Sequence, residues 1–293
     1  MRLSEKFEEM LRASETNPDL IPGLVRMVMD APESAERDGL LALMYHEGIG
    51  VEQNLEKSFQ LAEKAAFSEE GDGLGYYILG YMCEHAETPD QADGGPRQKY
   101  DHYDAEGFYE KCAERESPWK EDAILWLGDY YMNSARGGDP EVGIEYYEKI
   151  AEKNETAAGR LSDYYWNLVV PGYEDDEEWT SQLFKWTSVA YDLDPEEYAF
   201  RMGCIYAEGL GCQKDSDKAR SYFKEGWLAG DWRGADALAR LNEEYLANNP
   251  SVGAAEKARL EHEIEKYDAI ADELYEKELT DPSKEADNSI EED

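Results

Sequence analysis

Apolar residues recur along most of this chain at three- and four-residue steps, the spacing of one face of an α-helix. The steps come in blocks. A leading Leu or Met is followed by a small or polar residue and, four places on from the first, by a larger one. The blocks are Leu41-Ala42…Tyr45, Leu79-Gly80…Cys83, Leu127-Gly128…Tyr131, Leu161-Ser162…Tyr165, Met202-Gly203…Tyr206 and Leu241-Asn242…Tyr245. A second apolar stripe stands behind each of the first five, over 57–66, 104–113, 142–151, 181–190 and 218–227. Leading residues lie 34 to 48 positions apart, the period of helix–turn–helix repeats. The small residue lets a paired helix approach, and the Tyr fills the gap between one repeat and the next. One helix pair buries too little alone, so neighbours must stack to complete a core. The predicted fold is all-α: an α-solenoid with capping helices at both ends.

The ends follow from where the pattern changes. Two short helices, over about 4–13 and 19–30, are expected to cap the start, so that 1–34 precede a repeat region over 35–248. That region holds five full repeats and the first helix of a sixth. Asn248-Asn249-Pro250 breaks the chain, and a long helix follows over about 253–279, within a segment 249–280. Its Leu260, Ile264, Tyr267, Ala271 and Leu274 share one face. The stripe is short for a coiled coil, so it is read as a cap on the last repeat and the chain as a monomer. The tail 281–293 is charged, has no apolar period and is expected to be disordered.

Two blocks are more specific. Tyr45-His46-Glu47-Gly48-Ile49-Gly50-Val51 precedes Lys57 and Lys64-Ala65-Ala66, and Tyr206-Ala207-Glu208-Gly209-Leu210-Gly211 precedes Lys218-Ala219. They resemble the Sel1-like repeat, a relative of the tetratricopeptide repeat, and the resemblance extends over roughly 37–245. Its glycines suit a loop with positive φ angles. Repeats two to four lack the Gly-x-Gly loop. The resemblance implies a non-enzymatic adaptor or scaffold that binds a protein or peptide in a groove lined by first helices. By the tetratricopeptide geometry the groove positions lie two before, and two, five and six after, the leading residue. They are Tyr77, Tyr81, Glu84 and His85; Leu125, Asp129, Met132 and Asn133; Gly159, Asp163, Trp166 and Asn167; and Phe200, Cys204 and Glu208. Asn133 and Asn167 hold equivalent positions, where carboxamides can clamp a peptide backbone. Aromatics offer anchor surface, and Asp129 and Asp163 favour Lys or Arg on the ligand.

Charge narrows the partner. Asp and Glu number 68 against 29 Lys and Arg, a net charge of −39, of which the tail explains only about −5. Such a field repels nucleic acid and anionic membranes and attracts basic partners. It also serves solubility or a saline habitat. Inserted material over 86–103 and 171–178 is a further place for binding.

Chemistry is sparse. His46, His85, His102 and His262 form no ligand-spaced pair, and no nucleophile or phosphate-loop signature appears. No cofactor, metal site or catalytic residue is expected. Cys83, Cys112, Cys204 and Cys212 read as buried free thiols. Residues 1–11 lack the apolar run of a signal peptide, and a cytoplasmic protein is expected. Two alternatives remain: an inhibitor or immunity-type protein that neutralises a basic toxin or nuclease, and a small-ligand hydrolase. The second comes from cysteine-rich secreted members of the family, whose stapling cysteines and export signal this chain does not match.

Overall fold

The computed structural model describes residues 2–69, 71–89, 99–133, 137–170, 172 and 176–280. Those residues form α-helices and no strand. The inserted stretch 90–98, most of 171–175 and the tail 281–293 lie outside them. The chain divides into two compact units, Met1–Ile150 and Ala151–Asp293.

In the first unit, α1 (Leu3–Thr16) and α2 (Ile21–Met29) precede three helix pairs. These are α3 (Ala35–Glu47) with α4 (Leu55–Ala66), α5 (Gly73–Glu84) with α6 (Ala105–Ala113), and α7 (Lys120–Met132) with α8 (Pro140–Glu148). In the second unit, α9 (Glu155–Val169) pairs with α10 (Glu177–Leu193), and α11 (Pro195–Glu208) with α12 (Ser216–Ala229). Then α13 (Trp232–Asn248) pairs with the long α14 (Ala254–Leu279). The leading motifs lie on the first helix of each pair and the second stripes on its partner.

Helix starts are set by short polar side chains that accept from otherwise unpaired backbone N–H groups. Ser34 accepts from Arg37 N, Asn54 from Lys57 N and Asn154 from Ala157 N. Asp72, Asp139, Asp176, Asp194, Asp215 and Asp231 do the same for their helices. Each such cap contributes roughly 1 kcal/mol, and a carboxylate there also meets the positive end of the helix dipole. Part of the acid excess is thus structural.

The two Gly-x-Gly loops are near copies. Gly48 and Gly50 have φ of 73° and 65°, Gly209 and Gly211 of 79° and 67°, left-handed values that favour glycine. In both, the residue between the glycines donates back to the helix end (Ile49 N to Met44 O at 2.9 Å, Leu210 N to Ile205 O at 3.0 Å). The next N-cap donates to the motif tyrosine (Asn54 N to Tyr45 O at 2.8 Å, Asp215 N to Tyr206 O at 2.9 Å). A Cβ on Gly50 would strike Val25 and Ile21 of α2, and one on Gly211 would strike Thr180 and Phe184 of α10. So α2 stands to the first repeat as α10 stands to the fifth.

Inside a pair, small faces large. A Cβ on Gly80 would meet the Tyr109 ring, one on Gly128 the Tyr147 ring and one on Gly203 the Phe223 ring. The three rings hold the same place in their stripes, and the contact lets the axes close up. The first repeat, with Ala42, closes instead by Ser58 Oγ donating to Ala42 O at 2.8 Å. The fourth, with Ser162, closes by a Ser162–Thr187 hydroxyl pair at 2.8 Å. The motif tyrosine bridges second helices of successive repeats. Tyr131 stacks on Tyr146 of α8 and donates to Glu106 of α6, and Tyr206 stacks on Tyr222 of α12 and meets Phe184 of α10 edge-on.

The sixth block is displaced from its expected register. Leu238, Ala239 and Asn242 are buried at the leading, small and bulky positions, whereas Leu241 is half-buried and Tyr245 exposed. A three-residue shift is close to one helical turn, so both registers place apolar residues on the same side; burial separates them. The stripe of α14 lies against its own unit. Leu260 and Ala271 are buried, Tyr267 meets Trp227, and Tyr275 meets Trp232.

Candidate functional site

The site residues expected on the second repeat are held among each other. The Tyr77 ring meets Tyr109 edge-on at 5.6 Å, so Tyr77 serves the core as much as any surface. Tyr81 stacks on His85 at 4.0 Å and meets His46 edge-on at 5.1 Å. The buried His46 is fixed in turn, its Nδ1 at 2.5 Å from Glu47 and its Nε2 at 2.8 Å from Glu87. Exposed His85 has Nδ1 at 2.9 Å from Tyr81 O. Glu84 lies at the end of α5, where its carboxylate accepts a long hydrogen bond, 3.4 Å, from the Tyr109 hydroxyl.

Glu84 is the residue that reaches a cleft. The cleft measures about 460 Å³ and is lined by Glu84, His102, Tyr103, Ala105, Trp126 and Tyr130. Trp126 and Tyr130 sit one before and three after the leading Leu127, a helix face next to the expected one. They stack on each other at 5.1 Å, and Trp126 stacks on Tyr109 at 4.2 Å. His102 and Tyr103 come from the end of the inserted material. There Asp101 N donates to Asp104 Oδ2 at 2.9 Å and Tyr103 N to Asp101 Oδ1 at 3.0 Å, a turn that presents Tyr103 77% exposed. Among the described residues no lysine or arginine lines the cleft.

The third-repeat candidates are partly spoken for. Asp129 is exposed, but its carboxylate accepts from the Tyr147 hydroxyl at 2.6 Å. Met132 packs over Gly143, and Asn133 ends α7 with its carbonyl accepting from Gly138 N. In the second unit, Asp163 is paired with Arg201 at 2.6 Å, and the same guanidinium donates to Ser162 at 2.7 Å and lies 5.2 Å from the Trp166 ring centre. The cation expected from a ligand at Asp163 is therefore supplied by the chain itself. Phe200 packs on Phe223 beneath Arg233, which forks onto Asp231. Asn167 is exposed.

The remaining chemistry is quiet. Cys83, Cys112, Cys204 and Cys212 are free; burial pushes the first three thiols up to about 12, so they stay protonated at neutral pH. Cys204 and Cys212 are half-buried, less covered than expected. Among the described residues no group of three or more His, Cys, Asp or Glu could hold a metal ion, and no helix is long and apolar enough to cross a membrane.

Comparison with known proteins bears on the scaffold. The model of the Sel1 repeat matches residues 39–66, 121–155 and 197–231, the first, third and fifth repeats. The third is matched although it lacks the Gly-x-Gly loop. No curated protein matches the chain in sequence. A Sel1 repeat protein from Oxalobacter formigenes has a similar structure, with a TM-score of 0.52 and 20% identity over 90% of this chain and 99% of that one. A protective antigen of uropathogenic Escherichia coli displaying an SLR fold is also similar, with a TM-score of 0.50 and 20% identity over 94% of this chain. This chain spans 62% of that antigen's length. The chain thus contains three segments that match the Sel1 repeat, and its fold is the α-solenoid of these solved structures.

Proposed function

We propose that this protein is a non-enzymatic interaction module that binds a basic protein or peptide, working in the cytoplasm as an adaptor. Sel1 repeats generally mediate protein–protein interaction, and the acid excess supplies the sign of the partner. The observation that carries the reading is the cleft beside Glu84: that carboxylate and aromatic side chains line it, with no lysine or arginine among the described residues. Aromatic side chains of this kind are the usual anchors of an interface, and long-range attraction raises the rate of encounter. An inhibitor of a basic toxin or nuclease would use the same complementarity and differs in what its partner does.

The test places a photo-crosslinking amino acid at Tyr130 and, as a control, at Glu265 on the exposed side of α14. A basic protein captured from position 130 and not from 265, with an association rate that falls steeply with salt, supports the reading. A partner that is acidic or a nucleic acid, or capture equal at both positions, sinks it.

A further inference from the structure

The second unit shows twice how this chain holds an arginine. Arg201 lies between the Asp163 carboxylate, at 2.6 Å, and the Trp166 ring, at 5.2 Å. Arg233 forks onto Asp231 through two N–H···O contacts of 2.9 Å, with its guanidinium 4.8 Å from the Phe200 ring centre. In each case a carboxylate accepts from the planar cation and an aromatic ring centre lies about 5 Å from it, an arrangement that suits guanidinium better than ammonium. The cleft of the first unit has both parts of that arrangement: the Glu84 carboxylate, and the rings of Tyr103, Trp126 and Tyr130.

From this we infer that the Glu84 cleft is a recognition site for an arginine side chain on the partner. The inference rests on the proposed interaction role and names the chemistry of its anchor. Tyr103 supplies the accessible ring. Trp126 is stacked between Tyr109 and Tyr130 and so gives the cleft a stiff wall. The Asp101–Asp104 turn holds Tyr103 out by backbone N–H groups donating to the Asp101 and Asp104 carboxylates, so little ordering is needed on binding. Charge complementarity selects the occupant, since Glu84 lies in the cleft and the chain as a whole is strongly acidic. Arginine is selected over lysine because its flat, weakly hydrated head can meet ring and carboxylate at once.

The experiment uses the full chain and labelled hexapeptides of arginine, lysine and citrulline, titrated by fluorescence anisotropy at about 0.5 M salt. There the screening length falls below ~8 Å and diffuse attraction is suppressed. The arginine peptide should bind at least tenfold more tightly than the lysine peptide, and the citrulline peptide should not bind. Tyr103→Ala and Glu84→Gln should each weaken the arginine peptide tenfold or more, while Glu265→Gln should not. Both substituted side chains are solvent-accessible, and circular dichroism checks the fold. Equal binding of lysine and arginine, or wild-type affinity in Tyr103→Ala and Glu84→Gln, overturns the site. If a basic partner is still captured at position 130 in that event, the interaction role stands and the arginine specificity alone falls.

Discussion

Asp72 carries two duties that pull against each other. Its carboxylate caps α5 by accepting from Gly75 N at 3.1 Å, yet it lies beside a small cavity of about 140 Å³ with Glu36 among the lining residues. Burial is the main reason its pKa rises to about 6, with Glu36 adding to the rise. A carboxylate raised in the fold binds protons more readily there than in the unfolded chain. Its favourable contribution is therefore present below about 4 and is lost as pH rises through about 6. Asp72→Asn keeps a capping acceptor and removes the charge. It should stabilise the protein at pH 7, by up to ~3 kcal/mol, and flatten the dependence of stability on pH between 4 and 7. Urea melts across that range measure both, and an unchanged slope would show that Asp72 is not the group responsible. Gly128 makes a second case. Gly128→Ala drives a methyl into the Tyr147 ring and should cost about 1–3 kcal/mol. Gly107→Ala, on a helix face with nothing within 4 Å, should instead add about 0.5–1 kcal/mol. Matching effects at the two glycines would contradict the close-packing account.

Among the elements, the α9–α10 pair departs most from the rule that small faces large. Its seam holds the Ser162–Thr187 hydroxyl pair, with Arg201 of α11 donating to Ser162 and paired to Asp163. Arg201→Ala should destabilise by about 1–3 kcal/mol, because the buried hydroxyls lose a charged donor. Hydrogen exchange should then rise first in α9 and α10; a uniform loss across all helices would argue against a local seam. The α13–α14 pair is also polar at its centre. Asn242 is fully buried where a tyrosine stands in several repeats, and its Oδ1 has no hydrogen-bond partner among the described residues. Nearly all of this helix order was legible in the chain, since the caps are short polar residues and the stripes are long. Register in the sixth block was not, because periodicity repeats every turn and cannot choose between turns. The cleft was legible only in part. Glu84 lay on the groove expected from tetratricopeptide geometry, but Trp126 and Tyr130 sit on the adjacent face. Tyr103 gains its meaning from a turn in which the Asp101 and Asp104 carboxylates accept from backbone N–H groups.

At the scale of the whole molecule, 68 acids and 29 bases must share one fold. Aspartate caps absorb some of the acids. Phenols absorb others: Tyr100 donates to Glu63 at 3.0 Å, Tyr147 to Asp129 at 2.6 Å and Tyr191 to Glu225 at 2.9 Å, with Tyr131 on Glu106 and Tyr109 on Glu84 as further pairs. A neutral donor can hold a carboxylate without an ion pair that salt can screen, although Glu63 is also paired with Lys99. Raising salt from about 0.02 to about 1 M should thus relieve repulsion and raise the melting temperature; a fall would mean that surface ion pairs dominate stability. Division into two units was not visible in the repeat pattern, because the blocks continue across it.

The phenol–carboxylate pairs also equip the protein with an optical gauge of its own integrity. Burial and the neighbouring carboxylates hold the Tyr100 and Tyr191 hydroxyls up at about 12 and raise those of Tyr109 and Tyr131 as well. Tyrosinate absorbs in the near ultraviolet at longer wavelength than the phenol. An alkaline titration followed there should resolve an early class of exposed rings and a late class that appears only as helices part, so that the spectrum dates the opening of the repeats without any label.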